Sequence, residues 1–194
     1  MKDYIADWLK ESAQTLQSTT ACVFEIKQFA EAVTTCLGRG HKVLAFGNGG
    51  SASQADHFAG ELIGRFRRER EPMPALALNT STNLLTAIGN DYGFETIFAR
   101  QTQTLANNGD VAIGITTSGS SPNILKGLAA AKEQGATTIL LTSQRAPSVP
   151  ASVNIAVLVP CDDTAHIQEA HLAILHVVCE AAEMAITEKG TNKE

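Results

Sequence analysis

The chain is 194 residues long, 44% apolar and 18% charged, with a formal net charge of −5. That length fits one domain with a sizeable core. A mean hydropathy of −0.01 excludes a disordered tail and a membrane-embedded chain, and the acidic balance excludes general binding to nucleic-acid backbones. No apolar run approaches the roughly 20 residues a bilayer needs, and Met1-Lys2-Asp3-Tyr4 opens no apolar signal core. A cytosolic protein is expected, with no membrane and no nucleic-acid partner.

Residues 1–40 read as an N-terminal helical segment. Ile5, Trp8 and Leu9, then Val23, Ile26, Phe29, Ala30, Val33 and Leu37 recur at helical spacing before Gly38 and Gly40, as one broken helix or two. Residues 41–160 read as an α/β core. Its short, branched apolar runs at Val43–Phe46, Ala75–Leu78, Val111–Ile115, Thr137–Leu141 and Ile155–Val159 suit strands buried on both faces. Helical patterns at Ser53–Phe66, Thr82–Gly89 with Glu95–Leu105, and Pro122–Gln134 separate most of them. Residues 161–194 supply a closing helix from Thr164 to about Glu188. The alternation predicts a single α/β domain, a doubly wound five-stranded parallel sheet with helices on both faces and added N- and C-terminal helices. The basic run Arg65-Phe66-Arg67-Arg68-Glu69-Arg70 reads as a solvated helix end. Cys22, Cys36, Cys161 and Cys179 form no CxxC pair, so free thiols are expected.

In such sheets ligands bind beyond the carboxyl ends of the strands, and two of the following loops are unusual. The first strand runs into Gly47-Asn48-Gly49-Gly50-Ser51-Ala52-Ser53, the third into Thr116-Thr117-Ser118-Gly119-Ser120-Ser121-Pro122-Asn123. Pro122 suits the first helical position and Ser121 the N-cap. A helix begun this way aims unpaired N–H groups and its positive end into the loop, which makes an anion site. No Lys-Ser/Thr follows the glycines, and no GxGxxG with a later acidic residue is present, so neither a P-loop nor a dinucleotide fingerprint is matched. A small phosphorylated metabolite remains.

His57 and Glu61 stand four apart on the helix after the first loop, on one face. Gln168 and His176 stand eight apart on the last helix, with His171 on a nearby face. Two imidazoles, a carboxylate and an amide oxygen suit zinc or a similar divalent ion; the plain alternative is a surface helix pair and a core histidine. Asn90-Asp91-Tyr92-Gly93 reads as a turn between helices, placed so that it could face the same cleft.

These stretches, together with His57-Phe58-Ala59-Gly60-Glu61, Leu85–Gly93, Gly114–Gly119 and Ile167-Gln168-Glu169 before His176, resemble the sugar isomerase (SIS) domain family. Within it they are similar to the bacterial phosphoheptose isomerases, and the likeness covers nearly the whole chain. The resemblance implies an aldose–ketose isomerase that converts sedoheptulose 7-phosphate to D-glycero-D-manno-heptose 7-phosphate, for ADP- or GDP-heptose and lipopolysaccharide core or surface glycans. It implies one zinc per subunit on His57, Glu61, Gln168 and His176, and sugar-phosphate contacts at Asn48, Gly49, Gly50, Ser51, Glu61, Asn90, Asp91, Thr116, Thr117, Ser118, Ser121 and Gln168. It also implies a homotetramer built on the terminal helices.

Moving a carbonyl from C2 to C1 passes through an ene-diol and needs a placed base and a stabilised oxyanion. Glu61 is expected as the base and His176 as its acid/base partner near the oxygens. A non-catalytic SIS adaptor, similar to the DnaA initiator-associating protein, is the alternative; Glu61 and His176, which that group lacks, favour the enzyme. Thr116 and Ser120 stand where Ser and Asn are usual in the family. His166 replaces an Arg, and Leu141–Pro147 lacks the usual Gly-rich turn.

Overall fold

The computed structural model describes the backbone of residues 2–191 and the side chains of residues 4–187. Its strands are β1 (Val43–Gly47), β2 (Ala75–Ala77), β3 (Val111–Ile115), β4 (Thr137–Ser143) and β5 (Ile155–Val159). Its helices are α1 (Lys2–Ser18), α2 (Val23–Gly38), α3 (Gly50–Ile63), α4 (Thr82–Tyr92), α5 (Ala99–Leu105), α6 (Pro122–Glu133) and α7 (Thr164–Thr191). The N-terminal pattern is therefore two helices, joined by a 3₁₀ turn at Thr19–Cys22.

All four strand pairings are parallel, in the order β2-β1-β3-β4-β5, so the sheet is doubly wound as expected. The order reverses between β1 and β3, and this switch point puts the two unusual loops side by side. Alternate residues of each strand feed opposite layers. Val43, Ala45, Ile113 and Leu141 meet Phe29, Phe58, Ile174 and Val178 from α2, α3 and α7. Leu44, Phe46, Ala112 and Leu140 meet Phe98, just before α5, and Ile124 and Leu128 from α6. β2 is the short, partly exposed edge strand. All four cysteines are free thiols, three of them buried.

Helix α7 packs along α2, α1 and α3. Although it contains no unbroken apolar run of membrane length, Thr164–Thr187 reaches a hydropathy of 1.4 and by length and composition could cross a bilayer. This corrects the expectation that the chain offers no such stretch. The reason lies in packing: a helix with neighbours on several sides is apolar around much of its girth. His166 ties it to α1 with its ring 4.8 Å from that of Trp8, and Glu169, 3.0 Å from His166 Nδ1, accepts from Ser12 of α1 at 2.6 Å. Helix α3 starts and ends three residues before the expected Ser53–Phe66. The basic run after it is not a solvated helix end: it folds back against α7, and the Arg70 side chain is only 2% exposed.

Candidate active site

The first loop is shaped by close approach. A Cβ on Gly47 would lie 2.6 Å from the Ser51 backbone, and Gly49 holds φ +54°, a conformation that favours glycine. Gly50 opens α3, and Ser51 is buried in its first turn. The Asn48 side chain crosses the switch point to Asn123 at the start of α6. Their amides exchange two hydrogen bonds of 2.9 and 2.8 Å, and Asn123 is buried. Asn79, beyond β2, brackets the same place: it accepts from the Gly47 N–H and donates to the Gly47 carbonyl. Asn79 and Asn123 escaped the sequence reading because their partners are remote in the chain. The available signal was a polar amide just beyond a strand or just inside a helix.

The second loop is a cluster of hydroxyls. Thr116 Oγ1 lies 3.0 Å from Ser121 Oγ and 3.4 Å from Ser118 Oγ, and Ser118 Oγ accepts from the Ser120 N–H and hydroxyl. Ser143 at the end of β4 donates to the Thr117 carbonyl at 2.7 Å. Ser121 and Pro122 occupy the N-cap and first helical positions as expected, but the Ser121 hydroxyl does not cap the helix. It is turned toward Thr116 instead. A loop lined with hydroxyls at a helix N-terminus can bind a phosphate through both.

Helices α3 and α7 run side by side, and their contacts step along both. The Gln54 amide donates to the Gln168 carbonyl at 2.6 Å. Farther on, His57 Nε2 lies 3.0 Å from His176 Nε2, and 3.5 Å from the Glu61 carboxylate. The structure thus brings His57, Glu61 and His176 together. Gln168 rests against the start of α3: a Cβ on Gly50, two turns before His57, would sit 2.5 Å from its side-chain amide. Burial lowers the His176 pKa, and the charges of His57 and Arg67 lower it further against the opposing pull of Glu61. A neutral imidazole with a free lone pair results, able to accept a proton or ligate a metal.

The donor chemistry fits a divalent cation of the zinc type. Two ligands of a tetrahedral zinc at about 2.0–2.1 Å stand about 3.3 Å apart, so the imidazole separation is short by a few tenths of an ångström, within reach of a small ring rotation. Among the described residues no three His, Cys, Asp or Glu side chains already converge as a metal-binding group; the two imidazoles with a carboxylate beside one of them come nearest.

Asn90 and Asp91 lie in the last turn of α4, exposed and bonded to each other at 2.8 Å. Among the described residues no hydrogen bond or ion pair links them to the two loops or to the His–Glu cluster. His171 is fully buried; its Nε2 contacts the Thr142 carbonyl at 2.9 Å, and burial pushes its pKa down to about 4. It anchors α7 to β4 and takes no part in the cluster.

The SIS domain family matches residues 7–143. A phosphoheptose isomerase of Aquifex aeolicus is 51% identical over 165 residues, 85% of this chain and 86% of that protein. One from Geobacter sulfurreducens is 46% identical over 184 residues, 94% of this chain and 97% of that protein. The solved structure of a phosphoheptose isomerase from Neisseria gonorrhoeae superposes with a TM-score of 0.87 at 37% identity, covering 94% of this chain and 98% of that one. One from Francisella tularensis gives 0.88 at 38%, covering 94% and 97%. The sugar isomerase domain of an RpiR transcription factor from Sphaerobacter thermophilus, at 18% identity and TM-score 0.64, covering 95% and 92%, shares the fold alone. With identity this high over nearly its whole length, the chain belongs to the phosphoheptose isomerase family of SIS-domain proteins.

Proposed function

We propose that the protein interconverts sedoheptulose 7-phosphate and D-glycero-D-manno-heptose 7-phosphate through an ene-diol. The observation that carries this reading is the meeting of Glu61, His57 and His176 on two neighbouring helices, one of which begins in the glycine loop beside the hydroxyl-lined loop. The phosphoheptose isomerases among the relatives support the substrate class.

The hydroxyls of Thr116, Thr117, Ser118 and Ser121 and the N-terminus of α6 hold the phosphate, while Asn48, Gly49, Gly50 and Ser51 border the sugar chain with Gln168, and Asn90 and Asp91 complete its contacts. Anchoring the distant phosphate converts binding energy into placement of C1 and C2. Glu61 removes the proton from C1 of the ketose and returns it to C2. His176, its pKa lowered chiefly by burial, moves the second proton between O2 and O1. His57, Glu61, Gln168 and His176 would hold a zinc ion, and His176 would release it to carry a proton, because an imidazole offers one lone pair for either task. When bound, the ion polarises the carbonyl and favours the oxyanion. A carboxylate has two oxygens, so holding a cation through one leaves the other free to take a proton.

The test is turnover of purified protein on sedoheptulose 7-phosphate. Glu61→Gln keeps shape and hydrogen-bonding capacity but removes the base, so turnover is expected to fall at least about 100-fold with substrate binding retained. Near-normal turnover in that variant takes Glu61 out of the mechanism. Chelator treatment should abolish the wild-type rate and added zinc restore it; a rate indifferent to chelator removes the metal from the proposal.

A further inference from the structure

Apart from the charge of Arg67 near His176, the basic run Arg65–Arg70 has no part in the chemistry above, yet a buried carboxylate is given over to it. Past Ile63 the chain doubles back along α7 as a short strap. Glu183 of α7, 0% exposed, accepts hydrogen bonds from the N–H groups of Phe66 (2.7 Å), Arg67 (2.9 Å) and Arg68 (3.0 Å), and from Arg70 Nε (3.1 Å). The Arg70 guanidinium donates in turn to the carbonyl of Glu61 at 2.8 Å and to that of Leu62 at 2.9 Å. Burial alone would raise the Glu183 carboxyl, but the three N–H groups and Arg70 hold it below the usual carboxylate range, so it is ionised.

A buried ion pair of this kind is seldom the most stabilising choice; apolar residues of similar volume often serve stability as well. What it supplies is a fixed geometry. The strap lays the Phe66 ring 5.4 Å from the His176 ring, with the Arg67 guanidinium 5.4 Å from the Phe66 centroid. At the same time Arg70 grips the backbone of Glu61. The base and its imidazole partner, on different helices, are thereby referred to one internal pair.

We propose that Glu183 and Arg70 are a positioning pair for the isomerase, fixing Glu61 and His176 relative to each other through the Ile63–Arg70 strap. The inference rests on the roles assigned to Glu61 and His176 above. The test uses the full-length protein with Glu183→Gln, and Glu180→Gln as a neighbouring control, since Glu180 binds Arg68 at 2.6 Å but leaves the N–H groups on Glu183. Two quantities are read: steady-state kinetics on sedoheptulose 7-phosphate, and amide hydrogen exchange across residues 63–70.

In Glu183→Gln, exchange across the strap should rise at least about tenfold as charge-assisted bonds weaken. The kcat should fall at least about tenfold, because displacements of about 1 Å can cost roughly 100-fold. KM should stay within about threefold, since neither phosphate loop is touched. Glu180→Gln should match wild type in all three. If Glu183→Gln does not fold, Arg70→Lys keeps a cation opposite Glu183 but loses the bonds to the Glu61 and Leu62 carbonyls, and the same split is expected. An unchanged kcat, a strap that exchanges as in wild type, or a KM that rises as far as kcat falls overturns the proposal. Absence of wild-type turnover would instead overturn the functional reading and with it the pair's role, while exchange would still report whether Glu183 holds the strap.

Discussion

Ser118 shows how much one hydroxyl can do. Its oxygen accepts from the Ser120 N–H and hydroxyl and lies near Thr116 Oγ1, so it organises the loop proposed to hold the phosphate. An incoming phosphate exchanges hydroxyl–hydroxyl contacts for charge-assisted bonds, each worth about 1.5–3 kcal/mol. Ser118→Ala is therefore expected to raise KM roughly tenfold or more with kcat within a few-fold; a KM equal to wild type in steady-state kinetics would count against this loop as the phosphate anchor. Gly50 makes the complementary point. A Cβ there would displace the flexible end of Gln168, so glycine lets its amide rest against the start of α3.

At the scale of elements, the switch point between β1 and β3 is tied at both ends. At the carboxyl end Asn48 and Asn123 bridge the two loops. At the amino end Asp110, just before β3, accepts from the N–H and ammonium of Lys42, just before β1, and from the Asn107 N–H. Burial alone would raise the Asp110 carboxyl, but Lys42 and these N–H groups hold it below the usual carboxylate range. A carboxyl whose folded pKa lies below its unfolded value of about 3.9 adds stability that is fully present above that value. That stability is lost as pH falls through the folded pKa. Asp110→Asn should thus cost about 1–3 kcal/mol near pH 7 and make the acid limb of stability shallower below about pH 4. Denaturant melts at several pH values measure both; an acid limb as steep as that of wild type would show that this pair does not set it.

The whole molecule presents apolar surface it does not itself cover. Ile5, Leu9, Val23, Phe24 and Val177 on α1, α2 and α7 are exposed, and a groove of about 450 Å³ between α2 and α7 is lined by Leu16, Ile26, Ile174 and their neighbours. Contiguous apolar faces of this kind mark association surfaces. We infer a homotetramer built on these helices, with a mass by light scattering of about four times 20.5 kDa. A monomer at micromolar concentration would refute it. The alternation of short apolar runs with helical patterns already disclosed the parallel sheet, because strands buried on both faces must be apolar throughout. The strap was not legible: six residues with four arginines look solvated until a distant carboxylate is found beneath them.

Because periodicity, glycine and N-terminal helix residues act over a few positions, the residue pattern alone disclosed the order of elements, the doubly wound sheet and the two loops beyond β1 and β3. It also identified His57 with Glu61 as one helical face. It took the docked helices to show that His176 joins them, that Gln168 lies against Gly50, that Asn48 is held by Asn123 and that Glu183 carries the strap. Those pairs are 75 to 119 residues apart along the chain. Such contacts are set by how helices dock on a shared sheet, and no local pattern encodes which faces will meet.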